Sequence, residues 1–135
     1  VLIESLLEGR EFSAGVVPDK NGFPIVLPIT EIITENAFFD YEAKYEGESL
    51  EITPAKLSLE STAFIKETVV KATEILNCKW MVRVDIILVN GEIPAVIEIN
   101  SVPGFTAESI LPQQLSCAGI KLPDVISTIL KGILE

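Results

Sequence analysis

The period of apolar and polar positions changes several times along the chain, and each change marks an element. "VRVDIILV" (82–89) alternates from Val82 to Ile86 and is apolar from there on. Val82, Val84, Ile86 and Leu88 fall on one face of a strand, Arg83 and Asp85 on the other. "PAVIEIN" (94–100) puts Ala95, Ile97 and Ile99 on one face and Glu98 and Asn100 on the other. Asn90-Gly91 between them is a strong hairpin signal. A two-residue turn there sets Arg83 across from Glu98. A four-residue loop sets Asp85 across from Glu98 and Arg83 across from Asn100. In either register all four polar side chains share one face of one hairpin, and its other face is apolar.

Upstream, "VLIESLL" (1–7) and "GREFSAGVVP" (9–18) read as strands. "FPIVLPITEII" (23–33) is a third, rich in β-branched residues. Pro28 within it points to an edge position or a bulge. Residues 34–58 keep no clear period and predict a long polar loop with several aromatics, a kind of segment uncommon without a function. From 59 to 77 the period becomes helical, with Ile65, Val69, Ala72 and Leu76 on one face. Ser58 is the expected N-cap, with Ser61 or Thr62 as alternatives. After the hairpin come a Pro-Gly turn and helices over 109–118 and 123–133. The pattern predicts one α+β domain, a mostly antiparallel sheet with helices at one end and on one face.

Composition narrows the function classes. The 135 residues are enough for one sizeable core, and 48% apolar content excludes a disordered chain. Twenty acidic against ten basic residues give a net charge of −10, which argues against nucleic-acid and anionic-membrane partners. No apolar run reaches membrane-span length. Cys78 and Cys117 form no framework and read as reduced core thiols of a cytosolic protein.

The shared polar face carries the candidate chemistry. Asp85 near Glu98 places two carboxylates at cross-strand distance, where they repel unless a cation sits between them. Two carboxylates and an amide oxygen are hard ligands suited to Mg²⁺, which also takes substrate phosphates. Arg83 beside them could clamp a phosphate or an oxyanion. An ordinary solvated hairpin face with one salt bridge is the competing reading.

"RVD", then "EINSVPGFTAES" beginning thirteen residues further on, with "FFDYEAKY" upstream, resembles the carboxy-terminal lobe of D-alanine–D-alanine ligases, which are ATP-grasp enzymes. The resemblance covers essentially the whole chain and rests on the joint order and spacing of short pieces. It implies an ATP-dependent reaction through an acyl phosphate, with two Mg²⁺ (or Mn²⁺) held by Asp85, Glu98 and Asn100. It implies that Arg83 contacts the transferred phosphate, that the Gly104 backbone N–H completes an oxyanion site, and that Ser109 binds the carboxylate of the second D-alanine. Lys44 would reach the γ-phosphate, and Tyr45 would hold a lid shut. A tyrosine there is the pattern of enzymes that make D-alanyl-D-alanine rather than D-alanyl-D-lactate. Glu4, the backbone near Leu7, and Glu11 would hold the nucleoside.

The same resemblance implies N-terminal and central domains upstream, since no glycine-rich phosphate loop is present in the 135 residues. This chain is therefore expected to be a fragment, inactive alone, of a bacterial cytoplasmic enzyme of peptidoglycan precursor synthesis that is a homodimer when complete. A related ATP-grasp ligase with another acceptor would share the metal set but differ around Tyr45 and Ser109. A non-catalytic binding module would not need Arg83, Asp85, Glu98 and Asn100 together.

Overall fold

The computed structural model describes residues 1, 3–34 and 49–134. Its elements are β1 (Gly9–Pro18), β2 (Pro24–Val26), β3 (Thr30–Thr34), β4 (Ser49–Ile52), α1 (Leu59–Ile75), β5 (Val82–Val89), β6 (Ile93–Asn100), α2 (Ile110–Cys117) and α3 (Leu122–Leu134). One antiparallel sheet runs β4-β3-β1-β5-β6, with β2 paired to the far end of β1. The expected α+β class and antiparallel sheet are both present.

Alternation along β1 builds two cores. Phe12, Ala14 and Val16 point to one face, where they meet Val82, Val84, Ile86 and Leu88 of β5 beneath Ile65 and Val69 of α1. Val17 points to the other face, beneath Leu111 and Leu115 of α2 and Val125 and Ile129 of α3. The helices therefore cover both faces rather than the single face expected. The reason lies in β1, whose buried positions run unbroken from Phe12 to Pro18, so that end of the strand needs apolar cover on both sides.

Ser58 caps α1 as predicted, its hydroxyl accepting from the Ser61 N–H at 3.0 Å. The buried stripe is Ile65, Val69 and Thr73; Leu76 stands exposed at the C-cap. Three other expectations fail. The described residues before Gly9 form no strand, despite their apolar content. The 23–33 run breaks into β2 and β3 around Leu27-Pro28-Ile29, because proline has no N–H for a ladder. Residues 49–52, read as loop, form edge strand β4. Both cysteines are free, but Cys117 is exposed, since it lies on the outer side of α2, and only Cys78 packs against the core. Among the described residues no helix is long and apolar enough to cross a membrane.

Candidate active site

The β5–β6 hairpin places the polar face. Asn90 and Gly91 take φ of 53° and 75°, the left-handed geometry that the Asn-Gly pair suits. Pairing then begins at Val89↔Ile93, one residue more than a two-residue turn leaves. Ile97 is a further inserted residue: Ile86 pairs with Val96, yet Asp85 pairs with Glu98. The outcome is Asp85↔Glu98 and Arg83↔Asn100, one of the two registers open from the sequence, reached by a three-residue loop and a bulge. The bulge also moves Ala95 across from Ile87, off the face it was expected to share with Ile97 and Ile99.

Arg83 lies between the two carboxylates. Its guanidinium donates to both Asp85 oxygens, at 2.7 Å from Nη2 to Oδ2 and 3.0 Å from Nε to Oδ1, and stands 3.5 Å from Glu98 Oε1. The hydrogen bond to Asp85, with the charges of Asp85, Glu98 and Glu51 behind it, raises the Arg83 pKa against the opposing effect of burial. Asp85 is nearly buried, whereas the Glu98 side chain is 59% exposed. Asn100 turns its Oδ1 to the Val102 N–H at 2.9 Å, which shapes the chain entering Pro103-Gly104. One buried and one exposed carboxylate thus flank a cation that already pairs with both.

Ser109 stands at the N-cap of α2, as expected, but its side chain does not cap the helix. Its oxygen accepts from the Thr106 N–H at 3.2 Å and lies 3.0 Å from Thr106 Oγ1. A Cβ on Gly104 would sit 2.8 Å from that same oxygen. A side chain at Gly104 would therefore push the Ser109 hydroxyl out of this position. Glu11 lies on the polar face of the sheet, two residues before Ser13 on β1. Glu4 is exposed and Leu7 half-buried on the segment before β1. Lys44 and Tyr45 lie outside the described residues.

The sequence reading missed two groups that hold the site. Ser13, directly across from Asp85, donates its hydroxyl to Asp85 Oδ1 at 2.7 Å, wholly buried. Glu51 on β4 accepts from Gln113 Nε2 at 2.9 Å and adds to the negative field around Arg83. A serine inside the apolar run "FSAGVV" was the available signal for the first. Glu51 sat in a segment without period.

The donor set fits a hard divalent cation. Among the described residues no three His, Cys, Asp or Glu side chains converge. The site offers two carboxylates, and its third donor is the Asn100 amide oxygen, which has a lone pair left beyond its bond to Val102. Such a set, short of ligands on its own, suits an ion that keeps waters and takes phosphate oxygens.

Solved ligases share this helix-flanked antiparallel sheet. Residues 1–131 match the family described as D-ala D-ala ligase C-terminus, and the chain belongs to that family. A D-alanine--D-alanine ligase of Flavobacterium johnsoniae is 50% identical over 127 residues, covering 94% of this chain and 39% of that protein. The solved D-alanine--D-alanine ligase of Bacillus anthracis complexed with ATP superposes with a TM-score of 0.76 at 28% identity, over 95% of this chain and 40% of that one. The VanG D-Ala:D-Ser ligase of Enterococcus faecalis gives 0.78 at 27% identity, over 93% of this chain and 36% of that one. The chain spans about two fifths of the length of the curated relatives it matches.

Proposed function

We propose that this chain is the carboxy-terminal catalytic lobe of a bacterial, cytoplasmic ATP-dependent D-alanine–D-alanine ligase. N-terminal and central domains would complete the enzyme, which acts as a homodimer in peptidoglycan precursor synthesis. The observation that carries this reading is the cross-strand pair Asp85–Glu98 with Arg83 between them and Asn100 alongside. Asp85, Glu98 and Asn100 would hold the Mg²⁺ ions. Bound there, the ions supply the positive charge that lets a triphosphate approach two carboxylates.

The chain's own groups then have distinct tasks. Arg83 offers a planar set of donors to the phosphoryl group in transit. The Gly104 N–H is the donor for the oxyanion that forms when the acyl phosphate is attacked. Ser109, whose hydroxyl is turned off its helix, receives the acceptor's carboxylate at the start of α2. Glu4, Leu7 and Glu11 hold the nucleoside, Lys44 reaches the γ-phosphate, and Tyr45 keeps the lid closed so that water is excluded. The carboxylate of one D-alanine attacks the γ-phosphorus, giving an acyl phosphate and ADP. The amine of a second D-alanine attacks the acyl carbon, and phosphate leaves. Positioning and electrostatics carry most of the rate.

The test is product analysis with the complete enzyme, ATP, Mg²⁺ and D-alanine, with D-serine and D-lactate as competing acceptors. Formation of D-alanyl-D-alanine with one ADP per dipeptide is expected. ADP formation only with another acceptor would overturn the substrate assignment.

A further inference from the structure

Gln114 is the largest buried polar side chain among the described residues, and the reaction gives it no task. It is 0% exposed on α2. Its Oε1 accepts from the Gly15 N–H at 2.9 Å. Its Nε2 donates to the Ser13 carbonyl at 2.8 Å and to Thr30 Oγ1 at 3.0 Å. The outer edge of β1 explains the arrangement. β3 pairs with Glu11 to Ser13, and β2 pairs with Val16 to Pro18. Between them, at Leu27-Pro28-Ile29, the Leu27 N–H still donates to the Gly15 carbonyl at 2.9 Å, and the Gly15 N–H goes to Gln114 instead. The Gln114 amide, one donor side and one acceptor side, joins the Ser13 carbonyl to the Gly15 N–H at the gap between β3 and β2. Gly15 is shaped for it, since a Cβ there would lie 2.5 Å from Gln114 Oε1.

We propose that Gln114 is a positioning residue for the metal-binding carboxylate Asp85. Building on the ligase reading above, the link has two steps. The Gln114 amide fixes the carbonyl of Ser13, and the hydroxyl of that same residue grips Asp85 Oδ1 at 2.7 Å. Arg83 pulls on the same carboxylate from the other side. Ser13 is therefore the group that keeps an Asp85 oxygen from following the arginine alone, and Gln114 adds a side-chain hold on Ser13 to its strand pairing with Thr30 and Asp85. Through α2, the same amide ties the helix that begins at Ser109 to the strand beneath Asp85.

The readout is the half-saturating Mg²⁺ concentration in the complete enzyme, measured both as Mg²⁺ binding by calorimetry with ATP present and no D-alanine, and as ligation at saturating ATP and D-alanine. Residues that support a metal ligand commonly change affinity or activity by about 10- to 100-fold when removed. Ser13→Ala should raise the half-saturating Mg²⁺ within that range, and Gln114→Ala by about tenfold, its low end. The double variant should cost less than the two effects combined, because both act on one carboxylate. Gln114→Met, of similar length but with no amide, is read by the same rule if the alanine variant does not fold. An unchanged half-saturating Mg²⁺ in a folded Gln114 variant, with only a lowered melting temperature, would overturn the proposal. So would failure of both variants to fold, which would make Gln114 a folding residue. Glu98→Gln is measured alongside. If it shifts the Mg²⁺ dependence and Gln114 does not, this inference alone fails; if Glu98→Gln leaves it unmoved, the metal assignment itself is wrong.

Discussion

Asp85 stands directly across from Glu98, and the Arg83 guanidinium spans them at 2.7 and 3.5 Å. The arginine does part of what a metal would do: it keeps two facing carboxylates from repelling one another. Arg83→Met removes that charge while retaining much of the side chain's bulk. It should cost about 2 kcal/mol of stability, the usual range for a hydrogen bond to a charged group. Added Mg²⁺ should then raise the melting temperature of Arg83→Met more than that of the wild type, because binding to the folded state adds stability by mass action. Thermal scans with and without Mg²⁺ decide this. Equal shifts in the two proteins would mean that the carboxylates do not share an ion.

Gly15→Ala is expected to destabilise by about 1–3 kcal/mol, the usual range for overpacking. The new methyl would lie 2.5 Å from both Gln114 Oε1 and Leu111 Cδ1. Combined with Gln114→Ala, the glycine substitution should cost less than it does alone, since one of its two obstacles is gone. Urea unfolding of the two single variants and the double measures the difference, and strict additivity would contradict the fit of these two residues.

Acid sensitivity should reside partly at the other end of the sheet. Arg10 Nε and Nη2 grip both oxygens of Glu31 at 2.7 and 2.8 Å, and this hydrogen bonding holds the Glu31 carboxyl below its ordinary range against the effect of burial. A folded pKa below the unfolded one gives stability that is present above the usual glutamate pKa of about 4.3 and is lost as pH falls through the folded value. Glu31→Gln should therefore be less stable than wild type near neutrality, and the gap should close below about pH 4. Stability curves that stay parallel from neutral pH into acid would rule out this linkage.

Trp80, the single tryptophan, takes φ of 70° and lays its ring against Gly132 in the last turn of α3. A Cβ on Gly132 would overlap the indole. Gly132→Ala should shift Trp80 emission to the red as the ring is pushed toward solvent, and should lower stability by about 1–3 kcal/mol. Unchanged emission would show that α3 can move aside without cost.

The hairpin face was legible in the sequence because alternation fixes which side chains share a side, whatever the exact register. The register was not, because a loop residue and the Ile97 bulge are backbone events with no signature in apolar spacing. Ser58 as a cap was legible because its chemistry is local. Ser13 and Gln114 were not, because their partners lie 72 and 84 to 101 residues away in the chain. Each showed only as a polar residue among apolar ones, Ser13 in β1 and Gln114 beside Leu111 and Leu115 on the buried side of α2. β4 escaped because an edge strand of four residues, exposed at its start, carries too little alternation. The apolar "VLIESLL" misled because β-propensity favours an extended chain but supplies no partner strand.

The most direct measurement is D-alanyl-D-alanine formation by wild type and Glu98→Gln in the complete enzyme across a Mg²⁺ titration. The substitution keeps the shape of the side chain and removes one ligand charge. The account predicts a loss of at least about 100-fold in turnover at saturating Mg²⁺, with circular dichroism unchanged and thermal stability without metal close to wild type, since Glu98 is exposed and Arg83 remains bonded to Asp85. A Glu98→Gln enzyme that turns over at near wild-type rate in saturating Mg²⁺ would contradict it.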